Sequence, residues 1–300
     1  MSVAEQQEPV VVPPVPGGIE RARRPTGPVL GLVVVVVCLL VGQTATLLVL
    51  FPLLGVPPGA VRRPMGISAQ LATLFSFLGA SALLALWILL KERRPFGSVG
   101  FFPARRIGAR LVLGALAGLV ALSLPVGVNI LSGQFDVGES ARVAPALLAL
   151  VGFAAQASTE EVLTRGYLLQ LAHRKWGLAV AIPFQGVVFT ALHGVNSDVS
   201  VIALVNIFLI AVVFAFWALT EGGLWGVCAF HAVWNWCQGN VYGIHVSGMD
   251  ITATVLNVHG APGSAALLTG GGFGIEGSLL TTAVLLVAAV LAFLVHRRRA

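Results

Sequence analysis

Charged side chains are scarce in this chain. Asp, Glu, Lys and Arg make up 10% of its 300 residues, whereas 57% are hydrophobic, and the mean hydropathy is +0.93. A typical soluble domain has about 25% charged residues. The composition therefore excludes an ordinary soluble domain and predicts an all-α fold, a polytopic transmembrane helix bundle with a polar site inside it.

Cysteine is also sparse, and its spacing excludes two kinds of site. The three cysteines are Cys38, Cys228 and Cys237. They fall in apolar stretches without a CxxC or other paired spacing, so they indicate neither a disulfide framework nor a thiolate metal site. We expect all three to be small, buried, apolar side chains.

Two familiar hydrolase motifs are missing as well. The sequence has no HExxH, the helical motif of ordinary zinc proteases, and no GxSxG, the motif of many serine hydrolases. Any hydrolytic site in this chain would have to use other residues.

What the chain has in abundance is apolar stretches, and eight of them can each cross about 30 Å of hydrocarbon. They cover residues 29–54, 68–90, 109–131, 145–172, 179–197, 200–220, 223–241 and 278–296.

The stretches divide the chain into regions. Residues 1–28, rich in Pro, Gln and Glu, are predicted to be a disordered cytoplasmic tail. Residues 29–142 are predicted to form the N-terminal spans and residues 143–241 the core spans. Residues 278–300 are predicted to form the last span and a basic cytoplasmic tail. The Gly-rich outer loop at 242–277 is either disordered or a cap.

Lysine and arginine are unevenly distributed between the two sides of this arrangement. With the N-terminus inside, fifteen fall on the inner side and three, Arg62, Arg63 and Arg142, on the outer side. The positive-inside rule then predicts a multi-pass protein of the cell membrane with both termini in the cytoplasm. Because these side chains act as topology signals beside membrane lipids, the net charge of +6 does not indicate a nucleic-acid partner.

The most informative stretch is residues 158–169, S-T-E-E-V-L-T-R-G-Y-L-L. An ionisable side chain at membrane depth costs at least about 2.5 to 3.5 kcal/mol and marks a functional site by default. On a helix, Glu161 and Arg165 share a face and can form an ion pair, whereas Glu160 is rotated about 100° away. We interpret Glu160 as the reactive carboxylate and Glu161 as its support. The alternative is an ordinary salt bridge at the water interface.

Two further polar interruptions occur in later apolar stretches, F-T-A-L-H ending at His193 and H-A-V-W-N from His231 to Asn235. His231 and Asn235 share a helix face, and Phe189 lies one turn before His193 as a packing wall. Polar side chains in separate membrane helices each need a partner, and the nearest candidates are one another. We therefore expect them to form one site with the glutamate pair.

Depth along the helices supports part of this grouping. At 1.5 Å per residue, Glu160 and His231 fall at compatible depths in the inner half of the membrane. His193 lies about 22 Å from an inner helix start at Leu178, so it reaches mid-membrane only if its helix starts near Pro183.

Such a group can perform hydrolysis in two ways. In the first, a carboxylate and a histidine take a proton from water while the second histidine and the Asn235 amide donate hydrogen bonds to the oxyanion. In the second, Glu160, His193 and His231 hold Zn²⁺ with an open position for water. The residues alone leave both mechanisms open.

The motifs E-E-x-x-x-R, F-x-x-x-H and H-x-x-x-N follow in this order on successive apolar stretches. In this respect the chain resembles the CAAX prenyl protease and bacteriocin-processing (CPBP, ABI-type) family of intramembrane endopeptidases. The likeness covers roughly residues 145–240, under a third of the chain. Its motif positions fall on Glu160, Glu161, Arg165, His193, His231 and Asn235.

The resemblance implies a helical membrane fold with a polar cavity and hydrolysis of a peptide bond in a membrane-associated protein or peptide. It leaves open whether the mechanism uses Zn or is metal-free. In the leading hypothesis, Glu160 and His193 activate water, and His231 and Asn235 stabilise the oxyanion. Two other functions stay open. One is a non-catalytic membrane scaffold or bacteriocin-immunity protein of the same fold. The other is a proton-coupled transporter, although the two halves of the chain show no convincing internal repeat.

Overall fold

Eight long helices run through the part of the chain that the computed structural model describes, which is residues 18–57, 60, 64–102 and 106–299. They correspond in order to the eight apolar stretches and confirm the all-α bundle. The first 17 residues of the predicted tail lie outside the described residues, as do Arg62, Arg63 and Arg105 of the charge count. The helices are α1 (Pro28–Leu53), α2 (Ile67–Glu92), α3 (Ile107–Leu131), α4 (Val143–Trp176), α5 (Leu178–His193), α6 (Val201–Glu221), α7 (Trp225–Trp236, continued by a π-helical turn, Cys237–Val241) and α8 (Leu279–Arg299).

Six of these helices are long and apolar enough to cross a membrane, and the other two are α5 and α7. With 16 residues, α5 is about 24 Å long, which is less than the roughly 30 Å of a hydrocarbon core. The expected eight full spans are therefore corrected to six spans and two short helices. Hydropathy does not separate the two kinds, because a helix that faces other helices can be as apolar as one that faces lipid.

Residues 18–28 of the predicted disordered tail are instead ordered. The backbone nitrogen of Gly18 donates to the carbonyl of Ser98 at 2.9 Å, and Ile19 is buried. The backbone nitrogen of Thr26 donates to Glu92 Oε1 at 3.2 Å. Hydrogen bonds to α2 and to the loop after it tie this segment down, as they do for ordered termini in general.

Helix α4 is the most buried of the six membrane-length helices. Buried residues make up 56% of its apolar window, against 44% or less in the other five. Directly after Glu161, its backbone widens into a π-helical segment, Val162–Leu168. Such segments are rare and often accompany functional sites. The helix that carries the E-E-x-x-x-R motif is thus both central and locally irregular.

Glycines allow α3 to approach α7 closely. Gly114 and Gly118 of α3 face the backbone of Gly226 and Phe230, and a Cβ on Gly118 would lie 2.5 Å from the carbonyl oxygen of Phe230. Small residues four apart allow membrane helices to approach closely. Close packing matters there because lipid is as apolar as the side chains, so the hydrophobic effect does not drive helices together. Helix α3 therefore holds α7, the helix of the H-x-x-x-N motif, against the bundle.

The loop at 242–277 is ordered and covers one end of the bundle. Its strand β2 (Leu256–Gly260) pairs antiparallel with β1 (Phe135–Glu139), which follows α3. Phe273 and Ile275, just before α8, are fully buried. Of the two interpretations that the sequence left open for this loop, the structure supports the cap.

Candidate active site

The arginine of the first motif is completely buried together with its partner. Neither Arg165 nor Glu161 has exposed side-chain surface, and Arg165 Nη1 lies 3.0 Å from Glu161 Oε1. The guanidinium carbon lies 4.3 Å from the ring centre of Phe189 and 5.3 Å from that of Phe214. A buried charge requires a partner of opposite sign, and the aromatic faces add cation–π attraction. The pair therefore forms as its four-residue spacing indicated.

His231 lies between the two glutamates. Its Nδ1 is 2.9 Å from Glu161 Oε1, and its Nε2 is 3.7 Å from Glu160 Oε2. Because an ionised carboxylate only accepts hydrogen bonds, Nδ1 is the donor to Glu161, and the ring is held with Nε2 towards Glu160. The 3.7 Å separation is too long for a hydrogen bond, which leaves both atoms available to a water molecule or a substrate atom.

The adjacent glutamates differ in their surroundings. The side chain of Glu160 is 14% exposed and that of Glu161 is 0% exposed. Oε2 of each glutamate is buried without a hydrogen bond to any described residue, but Glu161 Oε1 accepts from both Arg165 and His231. Glu161 is therefore held by two neighbours, whereas Glu160 is the more exposed and less constrained of the two carboxylates.

His193 ends α5 and lines the same cavity as His231 and Asn235. Its Nδ1 lies 2.8 Å from the carbonyl oxygen of Phe189. A carbonyl only accepts, so Nδ1 carries the proton, and Nε2 of the neutral ring is an acceptor. The ring of Phe189 packs 4.6 Å from that of His193 and 6.2 Å from that of His231, which is the packing wall expected from F-x-x-x-H.

Helix α5 does begin at Leu178, so the later start near Pro183 that would bring His193 to mid-membrane is not found. His193 nevertheless lines one cavity with His231, and the ring of Phe189 packs against both histidine rings.

Asn235 is held by a residue outside the three motifs. Its Nδ2 donates to Gln156 Oε1 at 3.2 Å, and Gln156 lies one helical turn before Glu160 on α4. An amide nitrogen carries two hydrogens, so one remains for the cavity that Asn235 lines. Gln156 is a polar residue four positions before Glu160 in an apolar stretch, and this spacing could have identified it as a site residue. The sequence analysis missed it.

The outer loop contributes two further polar residues to the cavity. Ser247 and Glu276 line it together with His193, His231 and Asn235. The cavity has a volume of about 30 Å³, which is room for about two water molecules. Neither residue was found from the sequence, because no periodic pattern marks a position in a Gly-rich loop.

The predicted zinc ligands Glu160, His193 and His231 have the donor types that zinc prefers. Within the described ranges, however, no three His, Cys, Asp or Glu side chains lie close enough to hold one metal ion. The residues as arranged do not fit a zinc centre.

Membrane-length helices around a buried glutamate–histidine centre define a class, a multi-pass membrane protein with a candidate hydrolytic site inside the bundle. Residues 142–237 match the family model described as Type II CAAX prenyl endopeptidase Rce1-like. The match covers about a third of the 300 residues and contains all three motifs, which confirms the resemblance inferred from them. No curated protein and no solved structure gives a significant match.

Proposed function

We propose that this chain is an intramembrane endopeptidase that hydrolyses a peptide bond of a membrane-associated protein or peptide. The observation that carries the proposal is His231 with Glu161 at one ring nitrogen and Glu160 near the other. The family match supports peptide-bond hydrolysis, and the membrane-length helices support a setting among membrane lipids.

Glu160 and His193 take the proton from water. Glu160 Oε2 is buried and free of hydrogen bonds to described residues, and His193 Nε2 is an acceptor because Nδ1 bonds to its own helix. A general base must lie about 2.6–3.2 Å from the group whose proton it abstracts, or reach it through one water. A water beside Glu160 Oε2 and His231 Nε2 meets this distance at both atoms.

Asn235 and His231 donate hydrogen bonds to the oxyanion of the tetrahedral intermediate, His231 as an imidazolium with a hydrogen on each ring nitrogen. Glu161 fixes the imidazole through Nδ1, and Gln156 fixes the amide, so both donors are oriented before substrate binds. Removing one oxyanion donor of this kind costs about 10²–10³ in kcat. The proton taken from water then passes to the leaving amine, and the site returns to its starting state.

The test compares three membrane preparations, which carry the native chain, the Glu160→Gln variant or the Glu139→Gln variant. Glu139 is exposed on β1, so its variant is a matched control for the loss of one carboxylate. We expect mass spectrometry to find new protein C-termini and released peptides with the native chain and Glu139→Gln, and none with Glu160→Gln at equal abundance. Identical termini in all three membranes would contradict an endopeptidase and favour a scaffold or immunity protein.

A chelator separates the two hydrolytic mechanisms. We expect 1,10-phenanthroline to leave cleavage unchanged, because the described residues offer no cluster of three metal ligands and the steps above need only protein groups. Cleavage that is lost with the chelator and restored by Zn²⁺ would instead establish a metal mechanism. In that mechanism the helices would have to bring His193 and His231 to Glu160.

A further inference from the structure

Glu276 brings a carboxylate from the outer loop into the interior of the bundle. Its Oε1 accepts a hydrogen bond from Trp234 Nε1 at 3.2 Å, and its Oε2 accepts from the backbone nitrogen and Oγ of Ser247 at 2.9 and 2.7 Å. Its backbone oxygen accepts from Asn206 Nδ2 at 2.7 Å. Contacts to α6, to α7 and within the loop therefore fix the position of this carboxylate.

The same carboxylate borders the cavity of the proposed site. Glu276 lines it together with His193, His231 and Asn235. Trp234, which donates to Glu276, precedes Asn235 by one residue and follows His231 by three, so it shares a side of α7 with that histidine. Glu276 thus stands beside the proposed oxyanion donors without a hydrogen bond to either of them.

No cation balances Glu276 within the part of the chain that the structure describes. The arginines there that form ion pairs have other partners, in the pairs Arg94–Glu92, Arg110–Glu221 and Arg165–Glu161. A carboxylate that is partly buried is best accommodated when it is both hydrogen-bonded and paired with a positive charge. Glu276 has the hydrogen bonds alone, and of about four acceptor positions on its two oxygens three are used.

We propose that Glu276 is a specificity-determining residue that binds the side chain of a lysine or arginine near the scissile bond of the substrate. The proposal rests on the endopeptidase function and adds a substrate class to it, a peptide segment with a basic residue. A carboxylate fixed beside the oxyanion donors sets the distance between that basic residue and the bond to be cleaved.

A purely structural role for Glu276 leads to a different expectation. As a latch, Glu276 would only fasten the end of the loop onto α7, and its loss would affect all substrates alike. As a specificity residue, its loss changes which peptides are cleaved. A comparison of basic with neutral peptides therefore separates the two roles.

The test uses the full-length chain in lipid nanodiscs with a peptide library made from a proteome, and cleavage sites are identified by mass spectrometry. One half of the library has its lysines acetylated, which removes their charge. We expect Lys and Arg to be enriched at one position beside the native cleavage sites, and acetylation to remove the lysine enrichment. Glu276→Gln should slow cleavage of basic peptides at least about tenfold more than cleavage of neutral peptides, the effect of one charge-assisted hydrogen bond.

Two variants serve as controls. Glu276→Asp keeps the charge and should keep the preference for basic residues, and Glu139→Gln removes a carboxylate of β1 that does not line this cavity and should change nothing. Equal slowing of basic and neutral peptides, or native sites without basic enrichment, would overturn the specificity role alone. No cleavage of any peptide by the native chain would overturn the endopeptidase function as well. The comparison with acetylated peptides uses the native chain, so it tests the preference for basic residues even where a variant does not accumulate.

Discussion

Glu160 and Glu161 are adjacent in the sequence, but only Glu161 is held by neighbouring side chains. Successive residues of a helix point about 100° apart, so Glu161 reaches Arg165 and His231 Nδ1 while Glu160 approaches His231 from the side of Nε2. Glu161 contacts one ring nitrogen of His231 and Glu160 lies near the other, so the two adjacent glutamates flank the imidazole from opposite sides.

Replacing Glu161 tests this division of roles. Both side chains of the Arg165–Glu161 pair are fully buried, and removal of one partner from such a pair costs about 3–5 kcal/mol. We expect Glu161→Gln to lower the free energy of unfolding by about that amount and Glu160→Gln to leave it nearly unchanged, as measured by denaturant unfolding in detergent micelles. Equal stability of the two variants would show that Arg165 does not depend on Glu161.

Gln156 acts on the site through Asn235. Without the bond from Asn235 Nδ2 to Gln156 Oε1, the amide would rotate and its second hydrogen would no longer be fixed. We expect Gln156→Ala to lower kcat about tenfold or more with little change in KM, because the lost alignment matters mainly in the transition state. Gln156→Glu retains an acceptor oxygen and should recover most of the rate. If KM rose and kcat did not fall, Gln156 would be a substrate contact instead.

At the scale of the helices, hydropathy predicted positions well and lengths less well. Helix α4 was expected at 145–172 and covers Val143–Trp176, whereas α5 was expected to reach 197 and ends at His193. Gly194 follows His193 directly, and glycine is a common residue after the last turn of a helix. The prediction from hydropathy ran past Gly194 to residue 197 because the residues after this glycine are still partly apolar.

The site was only partly readable for a related reason. The six motif residues lie on helices, where residues three or four positions apart share a face, so their proximity can be predicted from spacing. Gln156 obeys the same rule and could have been found. Glu276 reaches the site through a loop whose path depends on long-range contacts with Trp234 and Asn206, and no local pattern encodes such a path.

The packing of α3 against α7 provides a test at this scale. A Cβ on Gly118 would lie 2.5 Å from a backbone oxygen of α7, whereas one on Gly127 of the same helix would meet nothing within 4 Å. We expect Gly118→Ala to destabilise the protein by about 1–3 kcal/mol through overpacking, and Gly127→Ala to be neutral or slightly stabilising. Thermal unfolding of the two variants measures the difference. Similar melting temperatures would show that α3 can move away from α7 without loss.

The two ends of the whole molecule differ in chemistry. The end where α2 finishes and α3 begins carries the buried pair Arg94–Glu92, and Arg94 Nη1 also donates to Gln170. The opposite end is formed by the β1–β2 pair and the Gly-rich loop, which closes over the cavity through Glu276. The charge bias predicts that the cap lies outside the cell, with the loop between the cavity and that side.

Cysteine labelling of intact cells tests this orientation. The three native cysteines are buried and should not react, so a single new cysteine reports its own side. Ala265 in the outer loop and Arg298 at the end of α8 are both exposed. We expect a membrane-impermeant maleimide to label Ala265→Cys in intact cells and Arg298→Cys only after lysis, because the Arg297 to Arg299 cluster is retained inside by its charge. The opposite pattern would place the loop in the cytoplasm and would require the substrate of the proposed site to approach from there.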